Sequence, residues 1–209
     1  MNRCRAVLLI VALLALAGCT TASPTAPKPS QLIGGQGSGP YDGAGLTPPQ
    51  PRPSFTLTDT AGKPFAFGTT TAGHPTLLYF GYTHCPDICP ATMADISIAL
   101  KKVPAALAAK TYVVFVTTDV KRDTSPVIAQ WLANFTSGAK AHFIGLRGTQ
   151  DEIDAAQSSA HVNLAEDDGQ THSSELLLYG PDDYARVAFL QSTTLQKQIA
   201  HDLPVVAAA

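Results

Sequence analysis

The 209 residues suffice for one ordinary domain with extensions. Only 14% are charged and the net charge is −2, so the chain carries no electrostatic footprint for nucleic acid. The hydrophobic fraction of 45% suits a packed core, although part of it sits in the first turns of sequence.

In chain order, the first segment reads as an address. Arg3 and Arg5 precede an apolar run, Ala6 to Ala17, that is short for a membrane span and suits a signal peptide over residues 1–18. It ends in "LAGC", Leu16 to Cys19. Small residues before a cysteine match the lipobox of bacterial lipoproteins. That resemblance implies cleavage before Cys19, lipidation of its sulfur and anchoring to the outer face of the cytoplasmic membrane. A plain secretory signal or a short membrane helix is the alternative. On the lipoprotein reading Cys4 leaves with the signal and Cys19 carries lipid. Cys85 and Cys89 then remain as thiols in a compartment where disulfides persist. Residues 19–53 are rich in Pro, Gly, Ser and Thr and predict a flexible tether. Within it, Tyr41 to Leu46 has enough apolar character to pack against the domain.

The folded domain is expected over residues 54–209. "SFTLTDTAGKPFAF" alternates on either side of a turn and predicts a β-hairpin. "TLLYF", Thr76 to Phe80, predicts a buried strand. Pro90 opens a helix whose Met93, Ile96, Leu100 and Val103 recur on one face. "YVVFVTTD" predicts a strand, "TSPVIAQWLANF" a helix, and "HFIGL" a strand. "TQDE", Thr149 to Glu152, is a capping box introducing a helix to about Ala160. "SELLLYG" and "ARVAFLQ", joined by "PDD", predict a second hairpin, and Thr194 to about Leu203 a closing helix. This order implies an α/β domain: a central mixed sheet with helices on both faces and an N-terminal β-hairpin. One strand–turn–helix unit carries both cysteines, as in a thioredoxin-like fold.

That unit is "GYTHCPDICP", Gly81 to Pro90. Pro86 and Pro90 disfavour helical geometry at Cys85 and Cys89, so a defined turn is expected between them. Cys89 is expected near the N-cap of the following helix, where unpaired N–H groups would depress its pKa. A structural staple closing so short a loop would restrict the unfolded chain little. A redox couple and a metal site remain, and the cysteines alone do not separate them. A metal site wants a third ligand. His74, His84, His142, His161 and His201 sit in turns or at the ends of strands and helices, or beside Cys85 with the side chain turned away. His172 lies in "DDGQTHSSELLLYG", a polar loop feeding a buried strand, opposite the cysteine turn in a thioredoxin-like arrangement.

"FGYTHCPDICP", "VVFVTTDVKRDTS", "HFIGLRGT" and "THSSELLLYGPDD" together resemble the Sco/SenC family of thioredoxin-fold copper proteins, from about Phe55 to the C-terminal helix. Cys85, Cys89 and His172 match the family's cysteine pair and distant histidine one by one. The resemblance implies copper as Cu(I) or Cu(II), with the copper-bearing subunit of cytochrome c oxidase or another cuproprotein as partner. The proximity of the two cysteines and the oxidising compartment predict a reversible Cys85–Cys89 disulfide when copper is absent. The chain departs from the family at Asp119-Val120, where the family often has Asp-Pro, and at Thr171-His172, where it often has Asp-His. Asp87 and Asp119 fall inside matching motifs, with turn chemistry or a nearby negative charge as their expected part.

Two thiolates and an imidazole suit Cu(I) through sulfur and Cu(II) when nitrogen joins. A three-ligand, partly open site suits transfer better than a closed structural zinc site. The leading expectation is therefore a membrane-anchored copper chaperone, which need not be an enzyme. The alternative is an extracytoplasmic thiol–disulfide oxidoreductase using the redox pair Cys85 and Cys89 without His172. A peroxide-reducing enzyme would want an arginine beside the motif, and none accompanies Thr83.

Overall fold

The computed structural model describes residues 31–32 and 39–209. The apolar run, Cys4 and Cys19 lie outside the described residues. The elements are β1 (Gln31–Leu32), β2 (Ala44–Pro51), β3 (Thr56–Asp59), β4 (Pro64–Ala66), α1 (Phe67–Thr70), β5 (Thr76–Gly81), α2 (Ile88–Lys102) and α3 (Ala105–Ala108). They continue with β6 (Tyr112–Thr117), α4 (Ser125–Thr136), β7 (His142–Arg147), α5 (Gln150–Ser159), a 3-10 turn (Asp167–Gly169), β8 (Leu176–Tyr179), β9 (Tyr184–Phe189) and α6 (Leu195–Ala207).

Among the described residues one sheet runs in the order β1-β2-β9-β8-β5-β6-β7-β3-β4. β5, β6 and β7 are parallel to one another, and the remaining pairs are antiparallel. The period of two along each strand feeds two cores. Leu77, Tyr79, Val113, Phe115, Leu176 and Leu178 pack with the buried faces of α2, α4 and α6. Leu78, Phe80, Val114, Val116, Leu177 and Tyr179 pack with α5, α1 and the β3–β4 hairpin. This is the thioredoxin-like α/β arrangement, with helices on both faces. All six residues of β5 are buried. Each of its large apolar side chains contributes roughly 2 kcal/mol, so the strand end that carries the cysteine turn is a rigid platform.

The expected local devices are present. Thr149 and Glu152 close a reciprocal capping box at α5. Met93, Ile96, Leu100 and Val103 are buried on the face of α2 that meets α6 and the sheet. Gly145 lets α4 lie close on β7, since a Cβ there would stand 2.4 Å from Ile128 Cγ2.

Two boundaries differ from expectation. The ordered sheet begins before Ser54: residues 44–51, assigned above to the tether, form β2 and pair with β9. Leu46 is buried, and the register shifts between Gly45 and Gln50, where Pro48 and Pro49 interrupt the ladder. The buried Arg52 guanidinium then ties this strand down. It donates to Asp183, Thr71, Thr76 and the carbonyls of His74 and Gly180. At the other end α6 continues through Pro204 to Ala207, because Leu203 and Val206 are both buried in the core.

Candidate metal centre

The topology brings three chain-distant segments to one sheet edge. β5 and β6 run parallel with Gly81 opposite Thr117, and β8 runs antiparallel with Leu176 opposite Tyr79. The residues leaving β5 and β6 and those entering β8 therefore converge at the carboxyl ends of the parallel strands, where α/β sheets place ligands.

The turn after Gly81 hangs on a buried carboxylate. Asp123 accepts from the Thr83 backbone N–H (2.9 Å), the Thr83 hydroxyl (2.5 Å) and the Thr117 hydroxyl (2.6 Å). Three donors satisfy a charge that would otherwise be costly to bury. The Cys85 N–H closes the turn onto the Tyr82 carbonyl at 3.3 Å.

The helix begins earlier than Pro90. α2 starts at Ile88 with Asp87 in the N-cap position, and the Asp87 side chain makes no capping bond. Cys89 is therefore the second helical residue. Its side chain points inward and is fully buried, beside Gly81, where a Cβ would stand 3.0 Å from Sγ. The expectation of a depressed Cys89 pKa is overturned: burial pushes its thiol up to about 12. The helix N-terminus acts on the other cysteine. Cys85 is partly exposed and receives the Cys89 N–H on its sulfur at 3.4 Å. Burial opposes ionisation there, but backbone N–H groups of Cys89, Asp87 and Ile88 outweigh it and hold the Cys85 thiol below its ordinary range. Both thiols are free.

Iodoacetamide near neutral pH is accordingly expected to modify Cys85 roughly tenfold or more faster than Cys89. Raising the pH through the ordinary thiol range accelerates Cys85 first, since only the thiolate reacts. Peptide mass spectrometry over a time course reads both rates, and equal rates would refute the assignment.

His172 meets this pair. Its Nε2 stands 3.6 Å from Cys89 Sγ, across 83 positions of sequence. Its Nδ1 lies 2.7 Å from the Ser173 carbonyl. A carbonyl only accepts, so Nδ1 carries the proton and Nε2 offers its lone pair toward the sulfur. Burial lowers the His172 pKa, keeping the ring neutral. The backbone carbonyl thus does the orienting that a neighbouring carboxylate would otherwise do. Tyr82 lies edge-on to the imidazole at 5.6 Å and 89°, Tyr79 at 6.4 Å and 79°. Cys85 and His172 share a surface pocket of about 360 Å³ with Tyr82, Ile88 and Thr171.

The loop carrying His172 is pinned by a glycine. Gly169 has φ +88°, and its carbonyl accepts the Thr118 hydroxyl at 2.6 Å. Lys121 pairs with Asp168 at 2.7 Å beside it.

The other histidines have separate surroundings. His74 and His142 pack on Tyr112, and His201 bonds Asp202. His84 turns from its neighbour Cys85 toward Asp123 at 3.3 Å, as expected. Asp119 is buried and bonds the Arg122 side chain and N–H, while Arg122 lies over the Tyr82 ring. Its part is to brace the ring that boxes His172. His84, Asp119 and Asp123 bring their ligand atoms within 4.8 Å of one another, as do Asp42, His201 and Asp202. Hydrogen bonds within the protein account for the buried carboxylates of both groups. Tyr79, Tyr82, Asp123 and Gly169 were absent from the sequence reading. Tyr79 had one legible signal, a phenol hydroxyl in a run otherwise built to be buried.

A thioredoxin fold with a cysteine pair at a helix start and a facing neutral imidazole defines a class of dithiol proteins with a soft-donor site. Within that class the SCO1/SenC family model matches residues 45–208, and the chain belongs to this family. Protein SenC of Rhodobacter capsulatus is 39% identical over 82 residues, which are 39% of this chain and 35% of that one. The structure of Bradyrhizobium japonicum ScoI with copper bound aligns with a TM-score of 0.60 at 30% identity, covering 74% of this chain and 98% of that one. BsSco, described with a disulfide switch and as a member of the Sco family of cytochrome c oxidase assembly proteins, shares the fold at TM-score 0.62 and 22% identity, over 82% of this chain and 98% of that one. The chain spans less than two thirds of the first curated relatives' own lengths, from 31% of yeast SCO2 to 66% of a Stutzerimonas stutzeri protein.

Proposed function

We propose that this protein is a copper chaperone that binds the metal through Cys85, Cys89 and His172 and delivers it to the dinuclear copper centre of cytochrome c oxidase. The observation that carries the reading is the His172 Nε2, deprotonated by its Nδ1 bond to Ser173 and aimed at Cys89 Sγ at 3.6 Å. Thiol exchange has no need of that nitrogen, whereas a metal does. Two sulfurs and one imidazole nitrogen form a soft to intermediate donor set that suits Cu(I) and admits Cu(II). The open pocket beside Cys85 supports hand-over to a partner. Copper bound to Bradyrhizobium ScoI, of the same family, adds support. We further propose that Cys19 carries a lipid anchor and residues 20–30 form the tether, holding the domain at the outer face of the cytoplasmic membrane. Among the described residues no helix is long and apolar enough to cross a membrane.

A second reading, a thiol–disulfide oxidoreductase acting on a cuproprotein, is favoured by the unequal thiols. Cys85 is the accessible sulfur that would attack, and Cys89 the buried one that would resolve. His172→Ala separates the two. On the chaperone reading it lowers Cu(II) affinity by about a hundredfold and bleaches the thiolate-to-copper absorption, while Cu(I) survives in part on two sulfurs. Disulfide formation is unchanged, and oxidase activity in cells falls. A variant that bound copper like the wild type and supported full oxidase assembly would transfer preference to the oxidoreductase.

A further inference from the structure

Behind the cysteine pair stands a phenol. Tyr79 is fully buried on β5, two residues before Gly81. Its hydroxyl donates to Cys89 Sγ at 3.6 Å, a normal reach for a sulfur acceptor. Cys89 and Thr92 are three residues apart on α2, so they share a face. The Thr92 hydroxyl donates away from the phenol, to Gln191 Oε1 at 3.1 Å, and Gln191 Nε2 donates to Asp95 at 3.2 Å. Among the described residues no cation is hydrogen-bonded to Cys89, so this hydroxyl is the side-chain donor that the buried sulfur has within the core.

We propose that Tyr79 is a positioning residue whose donated hydrogen bond sets how strongly the Cys89 sulfur gives electrons, both in thiol–disulfide exchange and to a bound soft metal. The second half rests on the metal-site reading above; the first does not. A hydroxyl hydrogen aimed at sulfur withdraws electron density from it. The reduced sulfur accepts that bond better than a disulfide sulfur, so the bond favours the dithiol. On a Cu(II)-bound thiolate it lowers the donor orbital and moves the charge-transfer band to shorter wavelength, in the way that hydrogen bonds at cysteine sulfur tune copper sites.

The test uses Tyr79→Phe, which keeps the ring and removes the hydroxyl. Tyr179→Phe is the control: Tyr179 is equally buried on the opposite face of the sheet, and its hydroxyl has no hydrogen-bond partner among the described residues. Each protein is equilibrated with glutathione, where the protein dithiol and one glutathione disulfide yield the protein disulfide and two glutathione thiols. Tyr79→Phe is expected to shift this equilibrium about three- to tenfold toward the protein disulfide. That is a potential about 15 to 30 mV more negative. Cu(II) titration is expected to show its thiolate band at longer wavelength. Replacing Tyr79 by 3-fluorotyrosine, which keeps the ring and makes the hydroxyl a stronger donor, moves both readouts the opposite way and stands in if Tyr79→Phe fails to fold. Tyr179→Phe moves neither readout. Wild-type potential and band in Tyr79→Phe and in the fluorotyrosine protein would overturn the inference. A shifted potential in variants of a protein whose wild type shows no copper–thiolate band would uphold the hydrogen bond and overturn the metal reading instead.

Discussion

Cys89→Ser is expected to abolish tight copper binding, with Cu(I) affinity falling on the order of a thousandfold or more. Cys89 is the hub of the centre. Its sulfur lies 3.6 Å from the His172 nitrogen and 3.6 Å from the Tyr79 hydroxyl, and its backbone N–H supports the Cys85 sulfur at 3.4 Å. A serine hydroxyl does not ionise under the conditions in which a metal draws a proton from a thiol, and neutral oxygen is a poor partner for a soft cation. The fold should survive, because the serine is smaller than the cysteine and its hydroxyl finds Tyr79 already in place. Competition against a chromophoric Cu(I) chelator, with circular dichroism as the control for folding, reads the effect. Cys85→Ser loses less, since Cys89 and His172 still face each other. Undiminished binding by Cys89→Ser would place the metal elsewhere.

The hairpins, the parallel strands and most helices were legible because each had its own period and punctuation. "TQDE" closes as a capping box. The alternation in Leu77 to Phe80 splits between two cores as the period of two requires. The meeting of Cys85, Cys89 and His172 was legible because few residue types carry soft donor atoms and these three fall where the strands converge. Three things were hidden. The Pro-rich stretch before Ser54 looked like tether because proline depletes strands on average, yet a register shift absorbs Pro48 and Pro49 and Leu46 fills the core. The roles of the two thiols came out reversed because proline rules fix the turn but not the helix start. Two residues of displacement decided which sulfur sits in the field of the N–H groups and which is buried. Tyr79 and Asp123 act through contacts that span the turn or the sheet, and no local pattern reports those.

Gly169→Ala is expected to disable the centre without touching a ligand. At φ +88° an alanine is strained, and its Cβ would stand 1.8 Å from the Thr118 carbonyl oxygen. That neighbour is backbone at the end of β6, itself bonded through its N–H to Gly81 at 2.8 Å, so it has nowhere to retreat. The loop must lift instead, forfeiting the Thr118 bond to the Gly169 carbonyl and the pairing of Lys121 with Asp168. Backbone strain of about 1 to 3 kcal/mol and a lost buried hydrogen bond of about 1 kcal/mol together undock the loop by about 2 to 4 kcal/mol. His172 is three residues away on the same loop and leaves Cys89 with it. The variant should therefore behave as His172→Ala does: weakened Cu(II) binding, a bleached thiolate band and an intact Cys85–Cys89 disulfide. Faster amide hydrogen exchange should be confined to the loop before β8. The sheet keeps its own ladder and both cores, so global thermal stability falls only slightly. If Gly169→Ala bound Cu(II) like the wild type, the loop would be free to present His172 without its glycine anchor, and the positioning of the imidazole would have to come from Ser173 and the two tyrosine rings alone.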